Sequence, residues 1–131
     1  YTFFMETVFV FGNTEVEMDA LPIRIIPELA RLRPDLRFVV KDPNEDWDIP
    51  RSLWIIDTVV GVTTPMLFRG LDAFGAAPHV SVHDFDAYAN LRLLQKLGKL
   101  DAVTIIGLPV GVSEADAIKA VTRALPPPAT T

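Results

Sequence analysis

Leu53-Trp54-Ile55-Ile56-Asp57-Thr58-Val59-Val60 is an unbroken apolar run that ends in a carboxylate before a break at Gly61. Beta-branched and aromatic residues without polar alternation describe a strand covered on both faces, the situation at the middle of a parallel α/β sheet. Such a strand needs helices above and below it, so this run decides most of the fold class. An acid in this company is expected at an exit, where the strand meets a crevice, and Asp57 is assigned there.

The flanking chain supplies the other layers. Thr7-Val8-Phe9-Val10-Phe11 reads as a first strand, closed by Gly12-Asn13. An acidic loop from Thr14 to Asp19 leads into a helix in which Pro22 suits the first turn and Ile26, Leu29 and Leu32 continue one apolar face. Pro27 should bend that helix and Pro34 should end it. Leu36 to Val40 is a second strand, followed by an acidic loop from Lys41 to Asp48. Pro65 to Gly70 reads as a short strand. Too few residues separate it from the central run for a helical crossover, so it is expected to be antiparallel and at an edge.

His79 to His83 is expected as a brief extended piece entering a helix from Asp86 to Leu97. Ala87, Tyr88, Leu91 and Leu94 face inward on that helix, and Gly98 stops it. Ala102 to Gly107 is the last strand. Ser113-Glu114-Ala115-Asp116 then resembles a capping box before a helix that buries Ile118, Val121 and Leu125. The expected architecture is an α/β three-layer sandwich: a mostly parallel twisted sheet of about five strands, with one antiparallel edge strand and helices on both faces. It is read as one domain over residues 1–125, without internal repeat or linker, and a Pro-rich flexible tail over 126–131.

At 131 residues the chain can bury about two-thirds of its unfolded surface without staples. The absence of cysteine excludes disulfides, thiolate catalysis and zinc–thiolate sites, and fits a cytoplasmic protein. A net charge of −5 argues against nucleic acid and anionic membranes as partners, and leaves a basic peptide or a metal cation open. No apolar run reaches the about 18 residues that a bilayer span requires. The apolar start from Tyr1 to Met5 has neither a basic leader nor a small-residue cleavage site, so no signal peptide is expected. A monomer is the default expectation.

Open α/β sheets bind ligands beyond the carboxyl ends of their parallel strands. Those ends carry Asp19 after the first strand, Asp42 after the second, Asp57 on the third and His83 past the short extended piece. Three carboxylates and an imidazole make an oxygen and nitrogen site for a divalent transition metal; nickel, zinc, manganese and iron are all chemically acceptable. Each residue also has a plainer explanation. Asp57 could cap a turn, Asp19 could serve a helix N-terminus, and His83 could be a surface or capping histidine. His79 is read as structural, the run of Glu45, Asp46 and Asp48 as a solvated loop, and Asp84 with Asp86 as helix caps. Nucleotide-phosphate cradles and the H-E-x-x-H and G-x-S-x-G frames are absent, and Asp57-Thr58-Val59 lacks the glycine of the aspartic-protease triplet.

Val8-Phe9-Val10-Phe11-Gly12-Asn13 with Asp19, Ile55-Ile56-Asp57, Ser81-Val82-His83 and Val103-Thr104-Ile105-Ile106-Gly107-Leu108-Pro109 together resemble the nickel–iron hydrogenase maturation endopeptidases, in order from about residue 7 to 123. The resemblance implies a protease that removes a C-terminal peptide from the hydrogenase large-subunit precursor once nickel has been inserted. It implies that Asp19, Asp57 and His83 contact the nickel and carry catalysis, that Asp42 and Asn13 help to receive substrate, and that no organic cofactor is used. Three departures stand out: Met18 where another Asp is common, Pro43-Asn44 where Gly-Gly often follows the acid, and a shorter stretch between Val62 and His79.

On this resemblance the nickel seated in the precursor registers the scissile bond, and a water attacks its carbonyl, helped by the metal or by one carboxylate. Two other readings are kept. One is a non-catalytic metal- or precursor-binding maturation module of the same fold, motivated by Met18 and the altered loop after Asp42. The other is a small α/β enzyme of different chemistry, such as a magnesium-dependent hydrolase.

Overall fold

The computed structural model describes residues 6–12, 17–42, 48–75 and 82–127; within its helices the side chains of residues 17–19, 74–75 and 82–87 fall outside the description. Alternating strands and helices give β1 (Glu6–Phe11), α1 (Glu17–Arg24), α2 (Ile26–Leu32), β2 (Leu36–Lys41), β3 (Ser52–Val59), β4 (Met66–Arg69), α3 (Leu71–Gly75), α4 (Val82–Lys96), β5 (Ala102–Pro109) and α5 (Glu114–Ala124). The five strands form one sheet in the order β2-β1-β3-β5-β4. Its first four members run parallel and β4 pairs antiparallel with β5 at the edge, as expected from sequence.

The central position of β3 follows from its residues. Leu53, Ile55 and Val59 pack into one core with Phe9, Phe11, Phe68, Tyr88 and Leu91, so α3 and α4 cover that face. Ile56 turns the other way, into a core with Val8, Val10, Leu21, Ile25, Leu29 and Val121, covered by α1, α2 and α5. Period-two alternation along a strand buried on both sides therefore produces three layers.

α1 begins at Glu17, within what was expected as loop, so Pro22 lies inside the helix rather than in its first turn; Pro27 and Ser113 sit where local chemistry favours them. The first helical segment breaks at Ile25, and Pro27 falls in the first turn of α2, where its missing N–H leaves no hydrogen bond unmade. Ser113 caps α5: its side chain accepts a 3.1 Å bond from the Asp116 N–H. Gly98 ends α4 at φ +74°, a conformation that costs a residue with a Cβ. The Lys99 N–H then reaches the Leu94 carbonyl at 3.0 Å and the Gly98 N–H the Gln95 carbonyl at 3.1 Å, the paired bonds of a Schellman motif.

Two further expectations are corrected. Val82 and His83 are helical rather than extended, because α4 starts four residues before Asp86. Asp84 and Asp86 thus lie near the start of the helix, where the macrodipole favours acids, instead of preceding it as caps. The short α3 was not anticipated; five residues are too few to display a helical period. His79, Glu45, Asp46, residues 1–5 and residues 128–131 of the tail lie outside the described residues. Pro126 is held by its carbonyl, which accepts a 2.6 Å bond from Arg33, itself paired with Asp35.

Candidate functional site

A doubly wound sheet opens a crevice where neighbouring strands send their connections to opposite faces. Here that switch lies between β1 and β3. The chain leaves β1 toward α1 on one face, whereas the helix between β3 and β5 is α4 on the other. Asp57 sits on β3 at this crevice, one residue beyond the Val10–Ile56 pair that joins β1 to β3.

Asp57 is only 1% exposed, deeper than an acid at an open strand exit. A carboxylate removed from water needs hydrogen bonds to offset the lost hydration. One oxygen, Oδ1, accepts the Thr58 N–H at 2.8 Å, and Oδ2 accepts the Tyr88 hydroxyl at 2.9 Å. The Tyr88 ring packs against Phe11, the last residue of β1, with centroids 5.9 Å apart and planes tilted at 56°. Phe11, Asp57 and Tyr88 thus bring β1, β3 and α4 together at the floor of the crevice. Asp57 pairs across the sheet with Gly107, where an added Cβ would stand 2.8 Å from Val59 Cγ2 and 3.0 Å from Phe68 Cε2. Among the described residues, the neighbouring hydroxyl of Thr58 is buried without a hydrogen-bond partner.

The remaining expected residues can be placed by element. Asp19 lies in the first turn of α1, the helix that follows β1. His83 is the second residue of α4. The far end of α4 is pinned low, since Gln95 donates to the Asp101 carbonyl and Arg51 to the Gly98 carbonyl, both beside the starts of β3 and β5. The N-terminus of α4 therefore points to the same edge of the sheet as the carboxyl end of β3. So the backbone brings the starts of α1 and α4 to one edge around Asp57, from opposite faces.

The side chains of Asp19 and His83, and all of Asn13, lie outside the described residues. Among the described residues no three His, Asp or Glu side chains gather as a metal site. Asp42 is exposed immediately after β2, two strands from β3. Tyr88 was expected only as an inward-facing core residue; its hydroxyl makes it part of the Asp57 environment. The available clue was that a buried phenol requires a polar partner. Among the described residues, no helix is long and apolar enough to cross a membrane.

No family model matches the chain, and no curated protein matches it. Solved structures do. The hydrogenase maturating endopeptidase HybD from E. coli aligns with a TM-score of 0.66 at 18% identity, over 91% of this chain and 89% of that one. The [NiFe] hydrogenase maturation protease HybD from Thermococcus kodakarensis aligns with a TM-score of 0.57 at 20% identity, over 92% and 94%. The solution structure of an endopeptidase from Escherichia coli gives a TM-score of 0.65 at 18% identity, over 92% and 89%. At these identities the likeness is one of fold, and it extends over nearly the whole chain.

Proposed function

We propose that this chain is an endopeptidase that removes the C-terminal extension of a nickel–iron hydrogenase large-subunit precursor after nickel insertion. The observation that carries the reading is the carboxylate of Asp57, held buried at the switch crevice of a fold shared with proteins named as hydrogenase maturation proteases. A sheet centre has no structural need for an acid, and keeping one there costs desolvation free energy. That cost is understandable where the acid has chemistry to do.

In this reading the nickel belongs to the substrate. Asp19, Asp57 and His83 grip it from the crevice, a donor set of two carboxylates and an imidazole that suits nickel. Water adds to the scissile carbonyl, which is polarised by nickel or attacked by water deprotonated at a carboxylate. The C–N bond then breaks, and the leaving amine takes up the proton. The role of Tyr88 is to fix Asp57 Oδ2, so that the carboxylate is oriented before substrate arrives. Asn13 and Asp42 help to receive the precursor. No organic cofactor enters, and the protein works as a cytoplasmic monomer.

The test is to incubate the purified protein with nickel-loaded and nickel-free precursor and follow the precursor mass. Loss of the C-terminal peptide from the loaded form alone is expected. Stable binding without a shortened product would overturn the protease reading in favour of a non-catalytic maturation module. Because the metal arrives with substrate, calorimetry on the isolated protein should find weak nickel binding. Tight binding of magnesium with no effect on precursor would point to unrelated hydrolase chemistry.

A further inference from the structure

Among the described residues β4 has a strand neighbour on one side only. The Gly70 N–H donates to the Val103 carbonyl at 2.8 Å, which makes that residue pair hydrogen-bonded and, by antiparallel alternation, leaves the backbone groups of Leu67 and Arg69 pointing away from β5. Those two residues share the sheet face on which Leu67 meets Ile106 of β5. Beside them lies a groove of about 170 Å³ between β4 and α5, lined by Pro65, Met66, Leu67, Ala120, Arg123 and Ala124 together with Ile106. Small-molecule sites hold about 300–1,000 Å³, so this groove is sized for one or two side chains. Arg123 on its rim and Arg69 at the end of β4 are exposed, and among the described residues neither has an ion-pair or hydrogen-bond partner. An arginine on the rim of an apolar slot, and a second two residues past Leu67 on the same face of β4, on a chain of net charge −5, call for a carboxylate.

We propose that the outer edge of β4 docks an extended, carboxylate-bearing segment of the polypeptide substrate by strand addition, with an apolar side chain in the β4–α5 groove and the carboxylate at Arg69 and Arg123. The identity of the partner rests on the protease reading above. Strand addition supplies affinity through main-chain bonds and specificity through pockets for alternate side chains, and both components are present here. The register connects the edge to the crevice. Met66 pairs with Gly107 and Gly107 with Asp57, so one rung crosses from the edge to the buried carboxylate. An added strand would lie about 14 Å from β3, three strand spacings, which about four or five extended residues can cover. Arg69 pairs with Thr104, three rungs below Asp57, so the anchored carboxylate sits low and the segment leads up to the lip.

The experiment measures precursor binding and cleavage separately, with nickel-loaded precursor, for wild type, Arg69→Pro and Arg123→Glu. Arg69→Pro removes an outward N–H and a cation without touching the β4–β5 ladder, and Arg123→Glu alters only an exposed helix residue, so both should fold as wild type by circular dichroism. The expected result is a rise of about tenfold in Kd and KM for each, with kcat kept at saturating precursor, and slowed hydrogen exchange at the Leu67 and Arg69 amides in the wild-type complex. Unchanged Kd in both variants, or unchanged exchange at those amides, overturns the docking site while leaving the protease reading intact. Weakened binding in the variants without any cleavage by wild type retains the docking site and overturns the protease. Sedimentation showing a wild-type dimer that Arg69→Pro abolishes would assign the edge to a second copy and overturn the proposal.

Discussion

The Asp57 carboxylate separates what the fold needs from what the site does. Asp57→Asn keeps shape and leaves an amide that can meet both Thr58 N–H and Tyr88 while removing a buried charge. Its urea midpoint should equal or exceed that of wild type, yet precursor cleavage should disappear. Unfolding of this variant would instead make Asp57 a structural residue. Tyr88→Phe leaves the charge in place and takes away its 2.9 Å donor, so it should cost about 1–3 kcal/mol by urea denaturation and lower kcat as the carboxylate loses its orientation. Gly107 reports on packing alone. A Cβ there would meet Val59 Cγ2 at 2.8 Å, and Val59 is itself fully buried, so Gly107→Ala should destabilise by about 1–3 kcal/mol through overpacking.

Elements were legible where local chemistry is decisive. The edge position of β4 followed from a connection too short for a crossover, and the antiparallel pairing with β5 obeys it. Ser113 announced the start of α5; Ser113→Ala should cost about 1 kcal/mol, read from the urea midpoint, because the Asp116 N–H loses its acceptor. The start of α4 was not legible, since Ser81-Val82-His83 alternates like a strand over too few residues to outweigh the acids of a first helical turn. Asp57 was legible as the odd member of an apolar run, but its depth was not. Its partner Tyr88 lies 31 positions away, and only the packing of α4 onto β3 brings the two together. The outward amides of β4 and the groove beside α5 are likewise products of topology, invisible along the chain.

At the scale of the whole molecule, the end of the sheet opposite the crevice is closed by ion pairs. Arg51, just before β3, holds Asp101, just before β5, through bonds of 3.0 and 2.9 Å, and Arg33 holds Asp35 at 2.9 and 2.8 Å beside Pro126. The hydrogen bond from Arg51 keeps the Asp101 carboxyl below its ordinary value of 3.8, and Arg33 does the same for Asp35. A carboxyl with a depressed folded value stabilises fully above its unfolded value and loses that contribution as pH falls through the folded one. Stability should therefore be flat from neutral pH down to about 5 as far as these pairs are concerned, and decline below about 4. Asp101 is exposed and Asp35 partly so, so the decline should be shallow and should flatten further in 1 M salt, where the screening length is about 3 Å. Replacing Arg51 by Met should remove the Asp101 share of that slope between pH 4 and 2 while leaving the crevice intact. Urea midpoints across this range check the sign. An Arg51→Met protein whose acid slope matches that of wild type would show that the Arg51–Asp101 pair closes the lower edge without contributing to the pH dependence of folding.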